Sequence, residues 1–238
     1  MKLALITGGK RRVGAVIARH LADAGWTLAL HSHHDIPDES TYAGAHDFVA
    51  DLADPEAPAL LVEQVSAHFG SLPSLLVNNA SRFEYDDATS LTPTSLAQHH
   101  AVNAAAPVLL AIALAARGTS GSVVNILDQR IRNPNGDQLA YTLSKTALAG
   151  ATATLAATLA PRWRVNAVAP GLTLPTDDFD DAQMARLAAA MPLQRLSQPD
   201  DIADAVLYFA TAGAVTGQTI FVDGGASLKS FDRDFVFL

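Results

Sequence analysis

The 238 residues predict a parallel, doubly wound α/β sheet of about seven strands with helices on both faces. Three observations carry that expectation. Short β-rich runs alternate with longer helical ones along the chain. Several of the short runs are apolar almost without interruption, as strands covered on both faces should be. A glycine-containing turn joins the first strand to the first helix, where sheets of this kind bind ligands.

In order, the first strand is Leu3–Thr7, LALIT, and the first helix Arg12–Ala24. Strands Thr27–His31 and Ala45–Val49 follow, then helix Pro55–Phe69 and strand Ser74–Val77. One long helical pattern covers Thr94–Ala116. Strand Ser122–Ile126 leads to helix Tyr141–Ala160, and Arg164–Val168 is the sixth strand. Helical patterns over Asp177–Ala190 and Pro199–Ala210 precede the last strand, Thr219–Val222. No linker, repeat or low-complexity block interrupts the series, so residues 1–238 read as one domain. The Tyr141–Ala160 helix is small or apolar nearly all round and is expected to be covered on two sides. One cover is its own sheet. The other is a second subunit, or the interior of the same chain.

Composition excludes several function classes. Half the residues are apolar and 17% charged, as in a well-buried globular chain. The net charge is −8 and no basic patch stands out, which argues against nucleic acid. Without cysteine there are no disulfides and no thiolate chemistry, which fits a reducing, cytoplasmic setting. The N-terminus lacks the zones of a signal peptide. No uninterrupted apolar run approaches the roughly 20 residues of a membrane span, so no membrane partner is expected.

The first strand runs into Thr7-Gly8-Gly9-Lys10-Arg11-Arg12-Val13-Gly14 and then a helix. Glycines let the backbone turn sharply and approach a pyrophosphate at the positive end of that helix. The spacing is not G-x-G-x-x-G, but the strand–turn–helix context points to a Rossmann-type nucleotide site, with Gly8, Val13 and Gly14 around the phosphates. Arg11 and Arg12 suit a ribose 2′-phosphate, which a guanidinium grips with paired hydrogen bonds. The second strand ends at His31, followed by Ser32, His33 and His34, with no carboxylate there to bond a free ribose hydroxyl. NADP(H), specifically NADPH, is therefore expected over NAD(H), and Asp35 is expected to face solvent. The histidines are read either as part of that site or as an exposed loop. They lack partners at metal spacing, so no metal is assigned. Asp51-Leu52 after the third strand could hold the adenine edge. Asn78-Asn79-Ala80-Ser81 follows the fourth strand, also at a carboxyl end.

Tyr141 and Lys145 stand one helical turn apart, with Asp128 thirteen residues before the tyrosine. A free phenol has a pKa of about 10. An ammonium nearby favours phenolate and eases proton transfer. A carboxylate at 128 only accepts hydrogen bonds, so it would repel a carbonyl oxygen and suit ring N–H or amino groups. The alternative is that Asp128 merely caps a turn.

These residues resemble the short-chain dehydrogenase/reductase family across nearly the whole chain. The matching pieces are TGGKRRVG, the DL at Asp51, NNAS at Asn78, Asn103 in VNAAAP, YTLSK, PGL at Pro170 and VDGG at Val222. The family commonly has Gly where Arg12 stands and Ser where Asp128 stands. Those two departures, with Phe83 after NNAS, resemble the pteridine reductase branch, including bacterial dihydromonapterin reductases. The resemblance implies hydride transfer from a nicotinamide, with Asp128, Tyr141, Lys145 and Asn103 as the catalytic set. Asn103 would support a water that passes protons to Lys145. Tyr141 and Lys145 would also hold the cofactor, as would Asn79, Ala80, Ser81, Pro170 and Gly171. Ser81, Phe83, Asp128, Tyr141 and Leu172 would meet the substrate. Phe83 would stack on a flat ring, or else serve packing alone.

The implied reaction is NADPH-dependent reduction of a dihydropterin of the dihydromonapterin or dihydrobiopterin type, with dihydrofolate as a further substrate. A carbonyl or 3-oxoacyl-thioester reductase is the alternative, and a non-catalytic NADP-binding sensor the third. A homotetramer is the family expectation. The segment after Leu172, through Arg186, is expected to form a mobile lid, and Asp177 to Asp181 to start its helix. The apolar tail, Phe231 to Leu238, is expected to dock across a subunit interface, with Arg233 reaching a neighbouring site.

Overall fold

The computed structural model describes residues 2–34, 42–174 and 179–238. Asp35, Asp177 and Asp178 lie outside them. Seven parallel strands form one sheet in the order β3-β2-β1-β4-β5-β6-β7. They are β1 Leu3–Thr7, β2 Thr27–Ser32, β3 His46–Val49, β4 Leu75–Asn78, β5 Gly121–Ile126, β6 Trp163–Pro170 and β7 Thr219–Val222. The expected alternation holds, with boundaries shifted by one or two residues at most strands.

The sheet is buried on both faces because its strands alternate two apolar sets. On one face, Leu3 and Leu5 join Leu61 and Val65 of α2 (Ala57–Phe69), Leu110 and Leu114 of α4 (Ala106–Ala116) and Leu155 of α5 (Leu139–Leu159). On the other, Ala4 and Ile6 meet Ile17 and Leu21 of α1 (Arg12–Asp23) and Val206 and Phe209 of α7 (Pro199–Thr211). Each fully buried Leu, Ile or Phe here contributes about 1.5–3 kcal/mol.

The chain winds outward from β1 to β3, then crosses back to β4 on the other side of β1. Thr7 is level with His31 on one side and with Asn78 on the other. A crevice therefore opens beyond the carboxyl ends of β1 and β4, at the switch in strand order.

Three elements differ from expectation. The long helix is not continuous: α3 (Pro93–His100) and α4 are joined by a π-helical turn, Ala101–Ala105. That turn carries Asn103 into the interior. Pro93–Ala116 as a whole is long and apolar enough to cross a membrane by length and composition, which the reading of uninterrupted apolar runs did not anticipate. In the fold its α4 portion is a core helix against the sheet. α5 starts at Leu139, ahead of Tyr141, where the Asp86 carboxylate accepts the Ala140 N–H at 3.1 Å. α6 is Asp181–Ala190, capped by Asp180, which accepts from the Gln183 N–H at 2.6 Å.

Candidate active site

The turn after β1 closes only with small residues. Gly8 has φ +63°, and a Cβ on Gly14 would lie 2.0 Å from the Gly8 carbonyl oxygen. The loop after β4 is locked to this turn. Thr7 Oγ1 accepts the N–H groups of Asn79 and Ala80, each at 3.0 Å, and Asn79 Nδ2 donates to the carbonyls of Thr7 and Gly8. α1 begins with Arg11 at its N-cap, without a side-chain cap and without an acid in its first turn. Its first N–H groups are left for an anion. Arg11 and Arg12 are exposed beside them. Arg12 has φ +51°, in the left-handed region that a glycine would occupy without strain.

Two cavities meet along this crevice. One of about 500 Å³ is lined by Arg11, His31, Ser32, His33, Asp51 and Leu52 among others. His31 is placed there, but both ring nitrogens are used. Nδ1 accepts from the Gly8 N–H at 3.3 Å, and Nε2 donates to the Ala50 carbonyl at 3.0 Å. Burial lowers its pKa, so His31 is a neutral brace between strand ends, not a cation for a phosphate. Ser32 Oγ donates to the His34 carbonyl at 2.7 Å. Exposed His33 faces Asp51 at 3.4 Å, and Asp51 also accepts from the Ala53 N–H. Leu52 mainly fills the core.

The other cavity, about 590 Å³, shares Gly8, Arg11, Ala80 and Ser81 with the first. It collects Arg12, Val13, Gly14, Asn79, Phe83, Asp128, Pro170, Gly171 and Leu172 from beyond four strand ends, and Tyr141 and Lys145 from α5. Tyr141 Oη donates to Asp128 Oδ2 at 3.1 Å. Lys145 Nζ donates to the Ile126 carbonyl at 2.8 Å and lies 5.6 Å from the centre of the Tyr141 ring. The expected effect of Lys145 on the phenol is not what sets its acidity here. Burial, reinforced by the Asp128 charge, pushes Tyr141 well above its ordinary value. The phenol is held protonated. Burial lowers Lys145 to about 8, with Asp128 opposing the shift.

Asn103 does not line either cavity. Its Oδ1 accepts the Arg82 N–H at 2.7 Å, and its Nδ2 donates to the Arg82 carbonyl and to Ser144 Oγ, each at 2.9 Å. The side chain clamps the Ser81–Arg82 segment to α5. Phe83 stands at the cavity mouth, half-exposed, edge-on to Tyr141 at 4.9 Å. Part of the tail folds over its own site. Arg233 pairs with Asp137 of the same chain at 2.9 Å, and Asp234 and Phe235 line the cavity.

Among the cavity residues that the sequence reading missed are Tyr85, Arg130 and Asp234. Tyr85 lies two residues beyond Phe83, with the rings 5.5 Å apart. Arg130 is buried two residues after Asp128, and that proximity was its only signal. Its backbone N–H donates to Asp128 Oδ1 at 2.9 Å, and its Nη2 pairs with Asp234 at 2.6 Å. Burial works against its charge, but Asp128 and Asp234 outweigh that and raise its pKa. Among the described residues no cluster could hold a metal ion.

A family model described as enoyl-(acyl carrier protein) reductase matches residues 8–227. FolM alternative dihydrofolate reductase 1 from Brucella canis, solved complexed with NADP, has a TM-score of 0.87 at 39% identity, covering 98% of this chain and 96% of that one. Pteridine reductase 1 of Leishmania tarentolae is 33% identical over 280 residues, with 95% of this chain and 96% of the relative covered. The 3-oxoacyl-acyl-carrier-protein reductase FabG of Staphylococcus aureus is 31% identical over 246 residues, with 94% and 97% covered.

Proposed function

The chain belongs to the short-chain dehydrogenase/reductase family, and on that premise we propose that it reduces a dihydropterin to the tetrahydro form with NADPH. The substrate is of the dihydromonapterin or dihydrobiopterin type, with dihydrofolate as a further one. The observation that carries the reading is the 3.1 Å bond from Tyr141 to Asp128 inside the cavity. A carboxylate there suits a ring rich in N–H groups and opposes a lone carbonyl oxygen.

The residues present fit NADPH. The glycine turn admits a pyrophosphate at the uncapped start of α1, and the exposed guanidiniums of Arg11 and Arg12 suit a 2′-phosphate. The absence of a carboxylate at the end of β2 agrees. Ser81, Lys145, Pro170 and Gly171 would border the nicotinamide end. When bound, NADPH supplies the hydride for the ring carbon of the C=N bond.

The chain manages the matching proton. Tyr141, kept protonated by its surroundings, gives its proton to the ring nitrogen. The phenolate left behind gains from the positive charges of Lys145 and Arg130, both near its ring. Asp128, bonded to the phenol oxygen and open to the cavity, relays the replacement proton from water. Phe83 offers a half-exposed aromatic surface at the cavity mouth for a flat substrate.

NADPH oxidation should be measured against dihydromonapterin, dihydrobiopterin, dihydrofolate and an acetoacetyl thioester. Turnover on at least one dihydropterin, well above the thioester, is expected. Rapid thioester reduction with silence on every pterin would assign the protein to carbonyl reduction. Tight NADPH binding without any turnover would assign it to sensing.

A further inference from the structure

We propose that Asp234, on the C-terminal tail, is a positioning residue of this active site, acting through Arg130 to set where the Asp128 carboxylate stands against Tyr141. The inference rests on the reading above, because it takes Asp128 and Tyr141 as the proton-delivery pair.

The geometry of one guanidinium carries it. Arg130 Nη1 donates to Gln138 Oε1 at 2.5 Å and Nη2 to Asp234 Oδ2 at 2.6 Å. The guanidinium is a rigid planar fork, so anchoring those two nitrogens also aims Nε. Nε faces Asp128 Oδ1 at 3.4 Å, and the Arg130 backbone N–H holds the same oxygen at 2.9 Å. With Oδ1 held from that side, Oδ2 is the oxygen presented to the phenol, at 3.1 Å. The Arg130 and Asp234 side chains are 8% and 9% exposed, so water cannot readily replace either partner.

Asp234 is itself seated from several directions. Its N–H donates to Asp137 Oδ2 at 2.8 Å, and its Oδ1 accepts the Val236 N–H at 3.1 Å. The next residue, Phe235, packs with Leu187 and Met191 at the α6 end of the site. Gln183 of α6 donates to the carbonyls of Phe235 and Val236, each at 3.1 Å. The tail thus connects the helix beside the cavity to the carboxylate at its centre. A tail that served folding alone would not need a buried charge aimed at the residue that holds Asp128.

The test is a double-mutant cycle on the full-length protein with D234N, D128N and the double variant. Steady-state kinetics are measured with NADPH and whichever substrate the unmodified protein turns over, and unfolding midpoints without ligand. D234N should lower kcat by about ten- to hundredfold, with KM and NADPH affinity within about twofold. The double variant should be no slower than D128N alone, and the two effects on the unfolding midpoint should likewise be less than additive. D234E should recover most of the lost kcat. A D234N protein with a lowered midpoint but undiminished kcat would overturn the proposal, as would losses in kcat that multiply in the double variant. R130K keeps the charge without the fork and covers the case in which D234N does not fold. It should lose kcat in the same range, and undiminished kcat would count against the proposal. Failure of the substrate reading is told apart, because it shows as an unmodified protein inert on every dihydropterin, whereas failure of this proposal shows as undiminished kcat in D234N on a dihydropterin that the unmodified protein reduces.

Discussion

In the proposed reaction, a buried phenol bonded to a carboxylate keeps its proton until a substrate nitrogen takes it. Tyr141 is in that position, and in the proposed reaction Lys145 beside it stabilises the product of the transfer more than it prepares the donor. Lys145 bears a measurable cost for being there. It is 2% exposed, and burial brings its pKa down to about 8. A base whose folded pKa lies below its unfolded value, about 10.4, opposes folding fully below pH 8. That penalty is relieved as the pH rises through 8 towards 10. Lys145→Met should therefore stabilise the ligand-free protein at pH 7 by about 2 kcal/mol, the ionisation penalty less the lost bond to the Ile126 carbonyl. At pH 10 the gain should vanish or reverse. Urea unfolding at the two pH values checks this, and a gain independent of pH would contradict it. Tyr141, Lys145 and Asp128 were legible in the sequence because their spacing is local. The sign of the phenol's shift was not, since it depends on burial that no spacing reveals.

At the scale of elements, the β1–α1 turn shows what function asks of a backbone. Its glycines are needed for closure, yet Arg12 occupies the left-handed region. That conformation disfavours a side chain by about 1–2 kcal/mol, which is consistent with a role for the guanidinium in the crevice. Arg12→Gly should raise stability by about 1 kcal/mol and weaken NADPH binding by about tenfold. Chemical unfolding and calorimetric titration measure the two, and unchanged NADPH affinity would remove the phosphate role. The strands were readable because LALIT and its counterparts bury both faces. The π turn was not. One extra residue per turn barely disturbs a long apolar pattern, although it is what carries Asn103 inward to clamp Arg82 and Ser144.

For the whole molecule, two features come from long-range packing. The first is the tail. Asp234 reaches Arg130 across 104 residues of sequence, a pairing that no local motif encodes. Sequence analysis expected an apolar tail to be covered; Phe235 is buried within its own chain, while Phe237 and Leu238 stand 54% and 43% exposed. The second is the set of large apolar side chains left on α4 and α5, where Leu109, Ile112 and Leu143 stand 38%, 47% and 47% exposed. Such side chains suit burial between copies of the chain. Light scattering should give an assembly, a tetramer by the family resemblance, and a monomer at micromolar concentration would contradict that. The proposed specificity turns on the one carboxylate at which the β5 end, α5 and the tail converge. The most direct measurement is kcat/KM for the unmodified protein and Asp128→Ser, side by side, on dihydromonapterin and the acetoacetyl thioester. Loss of about a hundredfold on the pterin, with thioester reduction kept or improved, is the predicted result. Undiminished pterin turnover in the serine variant would contradict the account.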